Sequence, residues 1–253
     1  MELKTIWSEE TTVRSNETDF RERWKPSSFF QAMQEATINH ANHLGFGYHD
    51  MLRLGLVWIM TRVKINFHSY PMRGERVVVS TWPRGLQQKL FFMRDYQFES
   101  GDGRLLAVAT SAWVLVNPAV RRILPPEALQ LPFPDNGGKT VLDDPLDRIP
   151  TATSVSEKFR VEAGYSAVDV VGHVNNTVYI DWACDCFGLE DYNQRMLTSL
   201  QINYSKEIKP AEEVAILLGQ GSAPGLWIVQ GSNLSSGVKA VEAALQWSEP
   251  VIH

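Results

Sequence analysis

Residues 165–182 read YSAVDVVGHVNNTVYIDW. A carboxylate (Asp169), an imidazole (His173) and two amides (Asn175 and Asn176) fall close together here, around Gly172 and among Val168, Val170, Val171 and Val174. Polar groups this dense are unusual in so apolar a stretch. One reading is architectural: a turn at Gly172 and then a capped helix start. The other is chemical. A carboxylate set among valines is expected to lose part of its hydration and to be a stronger base than free aspartate. Backbone N–H groups at the start of a helix just after Asn176 can polarise a carbonyl and hold an oxyanion.

Other candidates carry less. His40 and His43 stand three residues apart with His49 nearby, and packing or helix-end hydrogen bonds explain them better than a metal does. Cys184 and Cys186 point in different directions on a helix and read as core residues. Two cysteines are too few for a disulfide framework or a zinc site, which suggests a cytoplasmic setting. No G-x-S-x-G, P-loop or dinucleotide fingerprint is present, so no cofactor is expected. The apolar windows at 54–60 and 106–116 are far shorter than the roughly 20 residues of a membrane span, and residues 1–4 do not resemble a signal peptide. The net charge of −5 and the lack of any nucleic-acid motif argue against nucleic acid as a partner. Charge is nevertheless uneven. Residues 53–94 hold Arg53, Arg62, Lys64, Arg73, Arg76, Arg84, Lys89 and Arg94 against the single acid Glu75. Such a stretch either attracts an acidic partner or is a set of solvated strand-edge charges.

The elements that must position these groups come in two sets. Residues 131–150, LPFPDNGGKTVLDDPLDRIP, have the composition of a linker. They separate an N-terminal unit, 1–130, from a C-terminal unit, 151–253. Ile65-Asn66-Phe67 is echoed by Ile202-Asn203-Tyr204, and Ala107-x-Ala109-x-Ser111-x-Trp113 by Val241-x-Ala243-x-Leu245-x-Trp247, at similar offsets. This suggests duplication. Each unit reads as a short strand (11–15 and 158–162), one helix, and long alternating strands. The first helix opens at Pro26-Ser27 and closes at Gly45; the second has Asn175 or Asn176 as cap and closes at Gly188. The strands are expected at 57–67, 75–82, 90–99 and 105–116, with a hairpin turn at Asp102-Gly103, and at 198–204, 213–219, 226–232 and 239–247. One apolar helix with four or five antiparallel strands packs well when the sheet wraps the helix. The expected fold is therefore α+β, a tandem double hotdog.

The run D-x-x-x-H-V-N-N-x-x-Y resembles the active-site segment of the acyl-[acyl carrier protein] thioesterases of plants and bacteria. Val13-Arg14-Ser15, Gln34–His40, Trp58–Arg62, Tyr70-Pro71, Thr81-Trp82, Arg94-Asp95 and Trp113 are similar to that family in the family's order. The resemblance implies a double hotdog with an acyl pocket shaped largely by the first unit and catalysis in the second. It implies that Asp169, His173 and Glu207 are catalytic and that Asn175, Asn176, Trp58, Thr61 and Arg62 bind substrate. It also implies acyl carrier protein as partner and allows a homodimer; the basic stretch, with Arg73 and Arg76 on the Pro71–Gly74 turn, is the surface expected to dock that acidic carrier. Val171 stands where the family usually has asparagine. The segment also resembles single-hotdog thioesterases of the 4-hydroxybenzoyl-CoA type, which keep the aspartate and lack that asparagine. The implied reaction is hydrolysis of a fatty acyl thioester; the alternatives are an acyl-CoA thioesterase or a weakly catalytic acyl-binding hotdog.

Overall fold

A computed structural model describes residues 4–134, 136, 138–143 and 146–249. The chain divides into two compact units between Leu146 and Asp147.

In the first unit, β1 (Trp7–Thr12) leads into α1 (Pro26–Leu44) and a short α2 (Tyr48–Arg53). Four long strands follow: β2 (Val57–Phe67), β3 (Arg76–Gln87), β4 (Phe91–Ser100) and β5 (Leu105–Asn117), and then a short β6 (Arg122–Leu124). The second unit repeats the plan with β7 (Ser156–Glu162), α3 (Val178–Cys184), α4 (Leu189–Gln194), β8 (Leu197–Tyr204), β9 (Glu213–Gln220), β10 (Leu226–Asn233) and β11 (Lys239–Trp247). The strands of the first unit run in the order β1-β3-β4-β5-β2, all antiparallel. Those of the second run β7-β9-β10-β11-β8, again antiparallel. Equivalent strands occupy equivalent places, as a duplicated unit requires.

Pro26 opens α1 because a missing N–H costs nothing in a first turn. Gly45 closes it at φ 77°, a left-handed cap conformation that favours glycine. The buried side of α1 carries Phe29, Phe30, Met33, Ala36 and His40. Phe29 meets Trp24, Phe67, Tyr70 and Phe98 with ring centroids 4.4–5.8 Å apart. In the second unit the shorter α3 buries Tyr179, Ile180, Trp182 and Ala183.

Several expectations change. β1 starts and ends earlier than 11–15. Its sequence, WSEETT, is polar after Trp7, so its alternating exposure leaves no hydrophobic alternation to read. β3 runs past Trp82, because a register shift between Pro83 and Gly85 lets the strand continue beyond the proline. The second helix ends at Cys184 rather than at Gly188. Gly188 instead begins α4, where its N–H donates to Asp191 Oδ2 at 3.0 Å. Gly47 and Asp50 do the same for α2, at 3.1 Å. Described residues of the 131–150 stretch are packed and bonded. Leu142, Leu146 and Ile149 are buried. Trp82 Nε1 donates to Lys139 O, Arg84 Nη1 to Thr140 Oγ1 and Leu142 O, and Val141 N to Asp95 Oδ2.

Candidate functional site

Asp169 begins a tight turn. Its N–H donates to His173 O and its carbonyl accepts from Gly172 N. Val168 and Val174 form a bridge across the base. Gly172 takes φ 88°, which a side chain would strain. The carboxylate takes part as well: Asp169 Oδ1 accepts from Val171 N at 2.9 Å. This geometry turns Val170 and Val171 outward, where both are exposed. Asp169 itself is half-buried, but these two valines do not cover it.

A second segment comes alongside after β8. Val174 N donates to Ile208 O at 2.9 Å, and Tyr204 Oη to Asn176 O at 3.0 Å. These bonds bring Glu207 to His173, with Nε2 and Oε2 3.1 Å apart. Tyr179, in the first turn of α3, lies beneath. Burial raises its phenol well above the usual range, and the negative charges of Glu207 and Asp169 add to that. Asp169, His173, Glu207 and Tyr179 therefore share one neighbourhood. The sequence reading gave Tyr179 no role, although it is the tyrosine of the D-x-x-x-H-V-N-N-x-x-Y run.

Of the two asparagines, Asn175 is tied down through its side chain and Asn176, among the described residues, only through its backbone. Asn175 Oδ1 accepts from Thr177 N and Thr177 Oγ1, both at 2.9 Å, and Asn175 O takes Val178 N. Asn176 offers its carbonyl to Tyr204. Two of the N–H groups at the helix start are thus already engaged, and α3 has seven residues. Its dipole is a smaller resource than expected.

The first unit builds the same turn without the same chemistry. Asp19 N donates to Arg23 O and Glu22 N to Asp19 O. Asp19 Oδ1 accepts from Arg21 N and Arg23 N at 2.8 and 2.9 Å. Thr18 bridges Trp24, and Trp24 N donates to Pro71 O. By position Arg23 replaces His173 and Tyr70 replaces Glu207.

Two family models cover most of the chain. The acyl-ACP thioesterase N-terminal domain matches residues 4–128, and the acyl-ACP thioesterase C-terminal domain matches residues 150–249. The chain belongs to the acyl-ACP thioesterase family. Among its relatives, a chloroplastic palmitoyl-acyl carrier protein thioesterase of Gossypium hirsutum is 28% identical over 215 residues, covering 80% of this chain and 52% of the relative. A chloroplastic oleoyl-acyl carrier protein thioesterase of Arabidopsis thaliana is 25% identical over 228 residues, covering 82% and 62%. The chain thus spans roughly half to three fifths of the length of these relatives. Solved structures share its fold. An acyl-ACP thioesterase from Bacteroides thetaiotaomicron superposes with a TM-score of 0.84 at 20% identity, covering 96% of this chain and 98% of that one. The 12:0-ACP thioesterase of Umbellularia californica gives 0.82 at 23%, with 98% of each chain covered. The fold is the expected double hotdog.

The first unit of this acyl-ACP thioesterase family member holds a cavity of about 50 Å³ between α1 and the sheet. Leu44, Phe46, Trp58, Phe92, Trp113 and Phe133 form its apolar wall, while Thr37 and Arg94 bring polar groups. Of the substrate-binding residues expected in this unit, Trp58 lines it. Thr61 Oγ1 donates to Ala112 O at 3.0 Å. Arg62 donates to Leu146 O and lies over the Phe91 ring. Neither lines the cavity.

The basic stretch is less positive than its sequence suggests, because acids outside it, some adjoining and some distant in the chain, pair with its arginines. Arg53 pairs with Asp50, Arg73 with Glu22, Arg76 with Glu10 and Arg84 with Asp95. Arg94 is buried. His40 and His43 are spent on contacts: His40 Nε2 donates to Lys4 O, and His43 Nε2 accepts from Lys4 N. Burial pushes both cysteine thiols up to about 12, in keeping with core residues. Among the described residues no helix is long and apolar enough to cross a membrane.

Proposed function

We propose that this chain hydrolyses fatty acyl-ACP thioesters to free fatty acid and carrier thiol. The observation that supports it most is the cluster of Asp169, His173 and Glu207 in a chain of this family. Asp169 Oδ1 is tied to the turn, which leaves Oδ2 to take a proton from water or to attack the thioester carbon. His173 Nε2 lies 3.1 Å from Glu207 Oε2, and the pair is placed to orient the water. The departing thiolate needs little help, since a thiol pKa is about 8.5. The cavity of the first unit, with Trp58 in its wall, is where an apolar acyl chain would be held.

Arg73 and Arg76 are exposed, each paired with an exposed carboxylate. Exposed pairs contribute about 0–1 kcal/mol, so an acidic carrier can compete for these arginines. The test is hydrolysis of matched acyl-ACP and acyl-CoA thioesters over several chain lengths. Acyl-ACP is expected to have the higher kcat/KM at low salt. Raising the salt shrinks the Debye length from about 10 Å at 0.1 M to about 3 Å at 1 M. It should raise KM for acyl-ACP and leave kcat nearly unchanged. Arg73→Glu with Arg76→Glu should mimic high salt, and a short carrier-free thioester should respond to neither. Equal or better turnover of CoA substrates would make the protein an acyl-CoA thioesterase. Turnover of none would leave an acyl-binding hotdog. Reversal that lowers Tm with no carrier-specific change in KM would assign the arginines to the fold.

A further inference from the structure

Arg94 is an unusual residue to find in the wall of an apolar cavity. It stands on β4 on the same face as Phe92 and Tyr96, toward α1, and only 7% of it is exposed. Its Nη1 faces His40 Nδ1 at 3.0 Å and Thr81 Oγ1 at 3.2 Å. His40 Nε2 donates to the Lys4 carbonyl, so Nδ1 is the acceptor of a neutral imidazole. Thr81 is neutral as well. Among the described residues no carboxylate forms an ion pair with Arg94. The adjacent Asp95 points the other way, to Thr110, Val141 and Arg84.

A guanidinium held this deep with neutral partners alone has lost hydration that nothing in the protein returns. Nη1 is engaged; Nε and Nη2 have no acceptor among the described residues. These two nitrogens form the edge of a guanidinium that takes a carboxylate in two parallel hydrogen bonds. They are not among the buried atoms sealed away without a partner, which among the described residues are Arg195 Nε and Trp247 Nε1. The residue instead lines the cavity beside the Thr37 side chain. The rest of the lining is largely aromatic: Phe46, Trp58, Phe92, Trp113 and Phe133. A cavity of about 50 Å³ has room for roughly four water-sized groups, which is the end of a chain rather than all of it.

We propose that the cavity of the first unit receives the far end of a short acyl chain that terminates in a carboxylate, with the Arg94 guanidinium binding that carboxylate. The aromatic wall covers the methylenes before it. A plain alkyl end would leave the guanidinium unpaired against a methyl group. A terminal hydroxyl would satisfy one donor and rank between the two. The kinetic part of this inference rests on the reading of the chain as a thioesterase; the binding part does not.

Binding is read without turnover, from the rise in Tm with suberic acid monoethyl ester and with ethyl octanoate. The full chain should be stabilised more by the acid. Arg94→Met, which keeps an apolar stem of similar length, should bind the plain ester at least as well as the acid. Should that variant fail to fold, the arginine Nε–H resonances of the wild-type protein serve instead. One of them should shift with the acid and not with the plain ester. In hydrolysis, a 7-carboxyheptanoyl thioester should exceed the octanoyl thioester in kcat/KM. The expected ratio is roughly tenfold to a hundredfold, the range of a hydrogen bond to a charged group, and Arg94→Met should abolish it. A wild-type preference for the plain chain in both assays, or a preference for the acid that survives Arg94→Met, overturns the proposal. Failure to cleave any thioester, with the Tm preference intact, would sink the hydrolase reading and leave this one standing.

Discussion

Asp169→Asn is expected to abolish thioester hydrolysis, by at least about 10²-fold if the carboxylate acts as a general base, while Tm hardly moves. The geometry makes this a clean substitution. The structural task of Asp169 is to accept the Val171 N–H through Oδ1. An asparagine side chain accepts the same bond through its own Oδ1 and is well suited to such turns. What it lacks is a group that can take a proton or attack carbon. The first unit supplies an internal control. Asp19 accepts two N–H groups in the equivalent turn but has Arg23 and Tyr70 where histidine and glutamate would stand. Asp19→Asn should therefore leave kcat unchanged. His173→Ala and Glu207→Gln should cost less than Asp169→Asn, since the pair they form at 3.1 Å orients rather than reacts. The checks are single-turnover rates with an acyl thioester and thermal melts of each variant. Near-normal turnover by Asp169→Asn would move the active site elsewhere. Equal losses in the Asp19 and Asp169 variants would mean that the turn, not the carboxylate, was being measured.

Acid should destabilise the protein well above the range in which carboxylates titrate, through His40. Burial first, and then the positive charge of Arg94, hold its pKa down at about 4 rather than 6.5. His43 pushes in the same direction, and the Lys4 carbonyl opposes. The folded imidazole thus stays neutral while the unfolded one begins to protonate near pH 6.5. Protons bind preferentially to the unfolded chain, so stability is complete above pH 6.5 and falls as the pH drops toward 4. At about 1.4 kcal/mol per pKa unit, the loss attributable to this residue is about 3 kcal/mol at pH 4. Asp95 works with the opposite sign, because burial raises its pKa and the folded state takes its proton first. The comparison that isolates His40 is therefore His40→Gln against wild type. Glutamine can still accept from Arg94 and donate to the Lys4 carbonyl, but it does not titrate. Denaturant melts between pH 7 and pH 4.5 should show a steeper decline in the wild type. Parallel stability profiles would remove His40 from the account.

How far the molecule could be read from its residues depends on the range of the interactions involved. The bounds of α1 are local: Pro26 and Gly45 carry them in their own backbone preferences. β2, β5 and β11 have hydrophobic alternation of the right period and fall where it puts them, to within a residue. α3 is shorter than its pattern because Phe187, which continues the i, i+4 series, leaves the helix. It packs on Trp227 and Trp247, with centroids 6.0 and 4.9 Å away. That contact joins distant segments, and no local rule announces it. The candidate site divides in the same way. Asp169, Gly172 and His173 lie on one turn and are visible as a group. Glu207 reaches them through the bond from Val174 N to Ile208 O, so family resemblance alone pointed to it. Valines beside a carboxylate suggested burial, yet a turn of this shape directs the residues at its tip to solvent. Part of the neutralisation of the basic stretch was hidden for a similar reason, since Glu10 and Glu22 lie far before it in the chain.

The packing of residues 138–143 and 146 bears on where this protein can be cut. Val141 supplies the N–H that one oxygen of the buried Asp95 accepts. Lys139 covers the face of Trp82 at 4.1 Å, and Leu146 packs with Met93 and Ala112. A fragment ending at 130, where the composition turns linker-like, would strip Asp95 of that donor and expose three apolar side chains on its own surface. Such a fragment would be expected to precipitate. One ending at 146 would carry its cover with it. For anyone wishing to express the first unit alone, or to exchange it between relatives, the usable junction lies sixteen residues beyond the one that composition advertises.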